Sequence, residues 1–201
     1  MIAWLIVVLT KILLGPSITA RAPLDEPRSR VFFANHSSHL DFLVLWSSLP
    51  AAQRRVTRPV AARDYWSQGR LRRWLVGHLF GGLMIARKDA APDDNPVAQM
   101  LDVLDSGDSL ILFPEGTRGA GDVVAQFRSG LFQIAQARPD VDLIPVHLEN
   151  LNRILPKGEF VPVPMLSRVT FGAPLARIDG EDRAAFLERA RAAVVSLEED
   201  A

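Results

Sequence analysis

The chain lacks cysteine and carries no excess of charge of either sign. With no cysteine among 201 residues, disulfide bonds, thiol catalysis and cysteine-ligated metals are excluded. Basic and acidic residues number 23 each, so the overall charge predicts no polyanionic partner. No internal repeat is present. These absences, with a hydrophobic content of 48%, favour one ordinary globular domain that is large enough to bury a core.

The chain also lacks an apolar run long enough to span a membrane. Residues 1–14 are almost wholly apolar, but Gly15-Pro16 stops the run, and a spanning helix needs about 20 such residues. A secretory signal would carry positive charge before its apolar core, which is missing here, although Ala20-Arg21-Ala22 resembles a cleavage site. We therefore predict a membrane-associating helix over residues 1–16, lying in one leaflet or docked on the domain. A buried core helix is the alternative.

A basic stretch with tryptophans lies between residues 54 and 88. Arginines dominate it, and Asp64 is its lone acid. Asp64 is expected to cap a helix that carries Trp66 and Trp74. Arginines meet lipid phosphates and indoles favour the apolar boundary, so this composition favours a membrane surface. Nucleic acid would suit the same composition, but no recognised nucleic-acid motif accompanies it.

Apolar runs typical of buried strands alternate with helical patterns along the rest of the chain. This alternation predicts an α/β fold, a single domain with a largely parallel central sheet flanked by helices. Residues 17–29 are rich in proline and charge and are predicted to be a linker, which leaves 30–201 as the folded domain. Pro145 falls inside the strand predicted over 142–148, which favours an edge position or a strand end there.

The segment from Asn35 to Asp41 follows a buried strand and precedes a helix. On one regular helix, residues five apart point about 140° apart, so His36 and Asp41 can touch only if the chain turns between them. Ser38 and Asp41 have the spacing of a capping box, with Ser38 as N-cap, which supplies such a turn. A carboxylate that orients a histidine makes it a general base. The alternative is a helix cap beside an unrelated loop histidine.

The loop at residues 115–118 directly follows the strand predicted over residues 109–113. Ligands bind at this edge of a parallel sheet. Arg118 offers planar donors that suit a phosphate, and Thr117 with the amides around Gly116 can add more. Arg87 ends another predicted strand and could converge on the same anion. A surface turn with a salt bridge is the alternative for this loop.

Together these segments resemble the glycerolipid acyltransferase family, whose best-known members acylate lysophosphatidic acid. The family's first block has a His and an Asp separated by four residues, often preceded by Asn, and residues 35–41 match it. Its second block, a short strand ending in Arg, is similar to residues 82–87. Its third, Phe-Pro-Glu-Gly-Thr-Arg-Ser, is matched by residues 113–119 with glycine in the last place. Its fourth, a proline in an apolar strand, is similar to residues 144–146.

The resemblance implies an O-acyltransferase of phospholipid biosynthesis. The enzyme would move a fatty acyl group from an acyl-CoA or acyl carrier protein thioester to the free hydroxyl of a lysophospholipid. The default acceptor is 1-acyl-glycerol-3-phosphate, which would give phosphatidic acid; a lyso-ornithine lipid or another lysolipid is an alternative. No cofactor and no metal are expected. The enzyme would be membrane-associated and face the cytoplasm.

The resemblance also implies a role for each residue of the motifs. His36 would act as the base that deprotonates the acceptor hydroxyl, and Asp41 would orient its ring. Five further residues would bind the acceptor's glycerol and phosphate: Arg87, Glu115, Gly116, Thr117 and Arg118.

Three other readings compete with this one. Residues 107–110 spell the signature of a serine esterase family with Ser109 as nucleophile, but no histidine follows His147, whereas that family has one near its C-terminus. A metal site around His36 and His39 has the wrong spacing for metallohydrolases of the β-lactamase type. A membrane-bound lipid carrier would keep the pocket without the chemistry, and the presence of both His36 and Asp41 argues against it.

Overall fold

The computed structural model describes residues 2–26, 28–63, 77, 80–86, 95–119, 123–154 and 166–199. The predicted helix at Asp64 and the predicted site residue Arg87 lie outside these ranges. The strands are β1 (Ser17–Ala20), β2 (Arg30–Ala34), β3 (Thr57–Ala62), β4 (Leu83–Ile85), β5 (Ser109–Leu112), β6 (Asp142–Glu149) and β7 (Arg168–Phe171). The helices are α1 (Ile2–Leu14), α2 (Asp41–Ser48), α3 (Ala51–Arg55), α4 (Pro96–Asp105), α5 (Gly130–Ala137), α6 (Leu151–Ile154) and α7 (Arg183–Glu199).

The strands form one sheet in the order β1-β7-β6-β2-β5-β3-β4. Only the β6–β7 pair is antiparallel; the other paired strands of the described chain run parallel. Strand β2 is central, with Phe32 beside Ile111 of β5 and Ile144 of β6. The predicted α/β domain with a largely parallel sheet is therefore confirmed.

The central strand divides the core into two layers. Successive side chains of a strand point to opposite faces, so Phe32 and Ala34 pack on one face while Val31 and Phe33 pack on the other. The first face is covered by α1, α2 and α6, and the second by α4, α5 and α7. All four of these β2 side chains are fully buried, which is why the strand reads as a continuous apolar run.

Helix α1 packs on the domain through one side only. Val7, Thr10 and Leu14 are buried, and the Leu14 carbonyl accepts hydrogen bonds from the backbone and hydroxyl of Ser167. The opposite side leaves large apolar side chains exposed, among them Trp4 and Ile12. Within the described ranges, none of the helices combines the length and the apolar character that crossing a bilayer requires.

Two local predictions are wrong. Part of the predicted linker, residues 17–20, is the edge strand β1, which pairs in parallel with β7. Strand β6 lies between β2 and β7, so Pro145 is not on an edge strand. The Pro145 carbonyl accepts from Gly172 on the β7 side, just beyond the last paired residue of β7, and the N–H that proline lacks would point to that same side. Proline is tolerated there because pairing with β7 ends at Val146, so no hydrogen bond of the strand pair is lost with the N–H.

Candidate active site

A cavity of about 510 Å³ lies at the carboxyl ends of β2, β3, β4 and β5, which we call the carboxyl edge of the sheet. Apolar side chains form most of its wall, with the polar groups gathered at the loops that follow β2 and β5. Its lining residues include His36, Met100, Phe113, Thr117, Arg118 and Arg128. A cavity of this kind has room for an apolar chain and a few groups that orient a polar end.

His36 and Asp41 are in contact at this cavity. His36 Nδ1 lies 2.8 Å from Asp41 Oδ2. The His36 side chain keeps 22% of its surface exposed, whereas that of Asp41 is fully buried. An ionised carboxylate only accepts hydrogen bonds, so in the neutral imidazole Nδ1 carries the hydrogen and Nε2 has the lone pair. The predicted contact across the bend is confirmed, and its geometry leaves one ring nitrogen able to accept a proton.

The bend itself differs from the predicted capping box. Helix α2 begins at Asp41, and Ser38 does not serve as its N-cap; the Ser38 hydroxyl instead accepts from the Leu40 N–H at 3.3 Å. The Asp41 carboxylate does reach back, and its Oδ2 accepts from the N–H groups of Ser37 and Ser38 at 2.6 and 2.9 Å. Asp41 therefore closes the turn and contacts His36 with the same oxygen. Its position in the first turn of α2 favours the negative charge.

Phe113 holds the other side of the imidazole, and sequence reasoning did not identify it as a site residue. Its ring stacks on that of His36, with centroids 4.3 Å apart and planes inclined by 20°. The ring is therefore fixed by Asp41 at one nitrogen and by Phe113 across one face. The sequence shows only that Phe113 directly precedes the loop at residues 114–118; that β5 pairs with the strand leading to His36 is seen in the structure.

Glu115 supports the backbone of His36. Its Oε1 accepts from the His36 N–H at 2.7 Å and its Oε2 accepts from the Ala125 N–H at 3.0 Å. The residue is 5% exposed and does not line the large cavity, so the predicted contact of Glu115 with an acceptor there does not fit this geometry. Burial raises the pKa of Glu115 above its ordinary value, while the two N–H donors act in the opposite direction. Glu115 is a positioning residue in this arrangement.

The next three residues of the loop do line the large cavity. Gly116 has a φ of +72°, a conformation that favours glycine, and its N–H donates to the Phe113 carbonyl. Thr117 is exposed and Arg118 is half-buried, and both contribute to the cavity wall. Gly119 closes the loop onto the first motif, since its N–H donates to the His36 carbonyl at 2.8 Å. The third motif is thus bonded to the first through the backbone of His36.

Ser109, the alternative nucleophile, lies at the opposite end of β5. It is fully buried, and its hydroxyl donates to the Arg28 carbonyl while accepting from the Arg30 N–H and from Gln53 Nε2. Neither the large cavity nor a histidine is adjacent to it among the described contacts. The esterase reading is therefore wrong, because this hydroxyl is sealed inside a structural network.

A second cavity of about 340 Å³ lies on the β6 side of His36. His147, Asn150, Arg153 and Arg191 contribute to its polar wall. Burial lowers the pKa of His147, although the nearby carboxylates of Glu198 and Glu149 act in the opposite direction. No group of three His, Asp or Glu side chains in the described part of the chain is arranged to hold a metal ion.

A family model described as Acyltransferase matches residues 19–149. The chain is 30% identical over 143 residues to a 1-acyl-sn-glycerol-3-phosphate acyltransferase of Chlamydomonas reinhardtii, a match that covers 68% of this chain and 38% of the relative. It is 29% identical over 196 residues to the human 1-acyl-sn-glycerol-3-phosphate acyltransferase alpha, covering 93% of this chain and 65% of the relative. The chain thus spans between about a third and two thirds of the length of these relatives.

The fold also matches a solved structure. The 1-acyl-sn-glycerophosphate (LPA) acyltransferase PlsC of Thermotoga maritima superposes with a TM-score of 0.75 at 18% sequence identity. The match covers 98% of this chain and 79% of that one. At this identity the likeness establishes the shared fold.

Proposed function

Since the chain belongs to the acyltransferase family, we propose that it is an O-acyltransferase acting on lysophospholipids. It transfers a fatty acyl group from a thioester, acyl-CoA or acyl carrier protein, to the free hydroxyl of the acceptor. The preferred acceptor in this proposal is 1-acyl-glycerol-3-phosphate and the product is phosphatidic acid. The similarity to the 1-acyl-sn-glycerol-3-phosphate acyltransferases of Chlamydomonas reinhardtii and of humans supports this choice.

The observation that carries the proposal is the His36–Asp41 contact of 2.8 Å at the wall of the large cavity. His36 Nε2 takes the proton of the acceptor hydroxyl as its oxygen attacks the thioester carbonyl. Asp41 holds the ring in the tautomer that leaves Nε2 free and stabilises the imidazolium that forms. Collapse of the tetrahedral intermediate forms the ester and releases the thiolate, which takes the proton from His36. The step requires no covalent acyl-enzyme.

The remaining groups of the loop position the acceptor. Thr117, Arg118 and the backbone around Gly116 bind its glycerol and phosphate, since Arg118 offers paired donors to phosphate oxygens. Arg87 is proposed to join them. Glu115 acts indirectly by holding the backbone N–H of His36 at 2.7 Å. The apolar wall that includes Met100 and Leu131 takes an acyl chain.

We propose that the enzyme lies on a membrane surface that faces the cytoplasm, with α1 as its membrane-associating helix. The acyltransferase domain comprises residues 30–201 together with the edge strand β1. Exposed apolar side chains on α1 support the contact, because a helix that lies in an interface buries such a face among lipids. Trp4 and Ile12 are 67% and 72% exposed.

The test supplies the purified chain with labelled acyl-CoA or labelled acyl carrier protein and a panel of acceptors. The panel contains 1-acyl-glycerol-3-phosphate, a zwitterionic lysophospholipid, a lyso-ornithine lipid and monoacylglycerol. We expect labelled phosphatidic acid as the main product, formed only when both substrates are present. Folded protein that binds lysolipid but acylates no acceptor from either donor would contradict the proposal and favour a lipid carrier.

A further inference from the structure

Arg128 is held at the cavity wall by its backbone and by one side-chain nitrogen. Its N–H donates to the Pro114 carbonyl at 2.8 Å, and its Nε donates to the Glu115 carbonyl at 3.1 Å. The residue is exposed and lines the large cavity. Within the described part of the chain, its two terminal nitrogens donate to no protein acceptor. The guanidinium is therefore fixed at one edge while its other edge is available to a ligand.

Gly116 makes room for this side chain. A Cβ atom at residue 116 would lie 2.8 Å from Arg128 Cδ and 2.9 Å from its Cζ, closer than side-chain atoms approach one another. The φ of +72° at Gly116 disfavours any other residue independently of that contact. Glycine at this position therefore does two things: it allows the turn after β5 and it lets Arg128 cross the loop to reach the cavity.

The charge of the cavity wall has one sign. Its described lining residues include two arginines, Arg118 and Arg128, and no aspartate or glutamate. A phosphate monoester carries between one and a half and two negative charges near pH 7, roughly the sum that two arginines balance. A phosphodiester that carries an ammonium group would bring a cation to the same wall. The wall therefore suits a terminal phosphate better than a zwitterionic headgroup.

We propose that Arg128 is a second phosphate-binding residue, which selects acceptors that end in a phosphate monoester. The inference rests on the proposed acyltransferase function and names the headgroup that this site accepts. A guanidinium anchored through Nε presents its two terminal nitrogens side by side, a geometry that matches two oxygens of one phosphate. Lysine has no second nitrogen with which to hold the loop and bind the ligand together.

The test measures the KM for two acceptors with Arg128→Gln and Arg128→Lys. Arg128→Gln is expected to raise the KM for 1-acyl-glycerol-3-phosphate by about tenfold or more, because charge-assisted hydrogen bonds to the phosphate are lost. The KM for the neutral acceptor monoacylglycerol should stay near the wild-type value. Arg128→Lys should fall between, since it keeps the charge but not the paired donors. Arg153→Gln is the matched control: it removes an equal charge from the wall of the second cavity and should shift neither KM.

Binding of sn-glycerol 3-phosphate, measured by calorimetry, provides a readout that does not need turnover. Weaker binding in Arg128→Gln but not in Arg153→Gln supports the inference even if the wild type acylates no acceptor, in which case only the proposed function fails. An unchanged KM and unchanged binding in folded Arg128→Gln would overturn it. The same shift in Arg153→Gln would also overturn it, because the effect would then be one of overall charge.

Discussion

The two ends of the central strands contain similar residue types in opposite settings. At the carboxyl edge, His36, Thr117 and Arg118 line a cavity. At the amino ends of the same strands, Arg30 and Ser109 join Gln53 in a buried network, where Arg30 Nη1 donates to Gln53 Oε1 at 3.1 Å. Residue type alone therefore does not identify the site. What distinguishes the ends is access: the first group lines a cavity, whereas Arg30, Gln53 and Ser109 are buried.

The connections of the chain produce this difference. After β2 the chain passes to α2 on one face of the sheet, and after β5 it passes to α5 on the other face. Where neighbouring parallel strands lead to opposite faces, a crevice opens at their carboxyl ends. At the amino ends, Arg28 and Pro23 lie across the strands, and their carbonyls accept from Ser109 and Arg30. One end is open by topology and the other is closed by hydrogen bonds.

Of the substitutions that probe the two ends of the strands, Asp41→Asn at the carboxyl edge should have the largest effect. His36 Nδ1 and the N–H groups of Ser37 and Ser38 all bind the same Asp41 oxygen, so the amide oxygen of asparagine can keep these contacts while the negative charge is lost. Without that charge the imidazolium is no longer stabilised, and we expect a fall in kcat of about 10²-fold or more, measured in initial-rate assays. Asp108→Asn, which breaks a salt bridge to Arg58 near the amino ends, is the isosteric control and should keep the wild-type kcat.

Glu115→Gln should reduce turnover without abolishing it. One of the two N–H groups bound by Glu115, that of His36 or that of Ala125, would face an NH₂ donor instead of an acceptor. A shift of His36 of up to about 1 Å would cost up to about 10²-fold in kcat. Glu181→Gln, which removes a carboxylate paired with Arg189, should leave kcat unchanged. Equal rates for wild type and Glu115→Gln would refute the positioning role.

The Glu115 variant also changes the pH dependence of stability. Because burial raises the folded-state pKa of Glu115 above its ordinary value of 4.5, its ionisation costs stability as pH rises through the folded pKa. Glu115→Gln should remove this loss. Chemical denaturation of both proteins at pH values from 4.5 upward measures the difference. The same change of stability with pH in both proteins would contradict the raised pKa of Glu115.

Gln53→Ala tests the closed end and should affect stability only. Gln53 Nε2 donates to Ser109 Oγ at 2.8 Å and its Oε1 accepts from Arg30, so alanine would leave buried polar groups without partners. We expect a loss of about 1–3 kcal/mol in the free energy of unfolding, measured by urea denaturation, with an unchanged kcat. A large fall in kcat of the folded variant would mean that the amino ends take part in catalysis.

The smallest effect concerns His147 beside the second cavity. Burial lowers its folded-state pKa below the ordinary value of 6.5, so the unfolded chain takes up a proton first as pH falls. Stability is therefore lost below about pH 6.5, by at most about 1.4 kcal/mol per pH unit. His147→Asn should flatten this part of the denaturation profile. An identical slope in both proteins would contradict the buried, uncharged state of His147.

Much of the fold could be predicted from the sequence, because the strands that form the centre are short apolar runs. Strand β1 could not, since Ser17–Ala20 is exposed along its length and gains its strand conformation by pairing with β7, far along the chain. Pro145 misled the prediction for a related reason. The rule about edge strands is local, whereas the point at which β7 stops pairing depends on tertiary structure.

The candidate site, like the fold, could be predicted from the sequence only in part. The spacing of His36 and Asp41, with a turn between them, was enough to predict their contact. The direction of the Glu115 side chain was not, because the motif gives residue types but not which backbone groups approach them. Phe113 and Arg128 contribute through positions fixed only once β5 is paired and the loop is folded.

The most direct test of the account compares turnover by His36→Ala and Ser109→Ala with that of the wild type. Each protein, verified as folded by cooperative thermal unfolding, is assayed with an acyl thioester and 1-acyl-glycerol-3-phosphate at saturation. We expect His36→Ala to lose at least about 10²-fold in kcat, whereas Ser109→Ala should be less stable but turn over normally. A folded His36→Ala protein with the wild-type kcat would contradict the proposed role of His36 as the base.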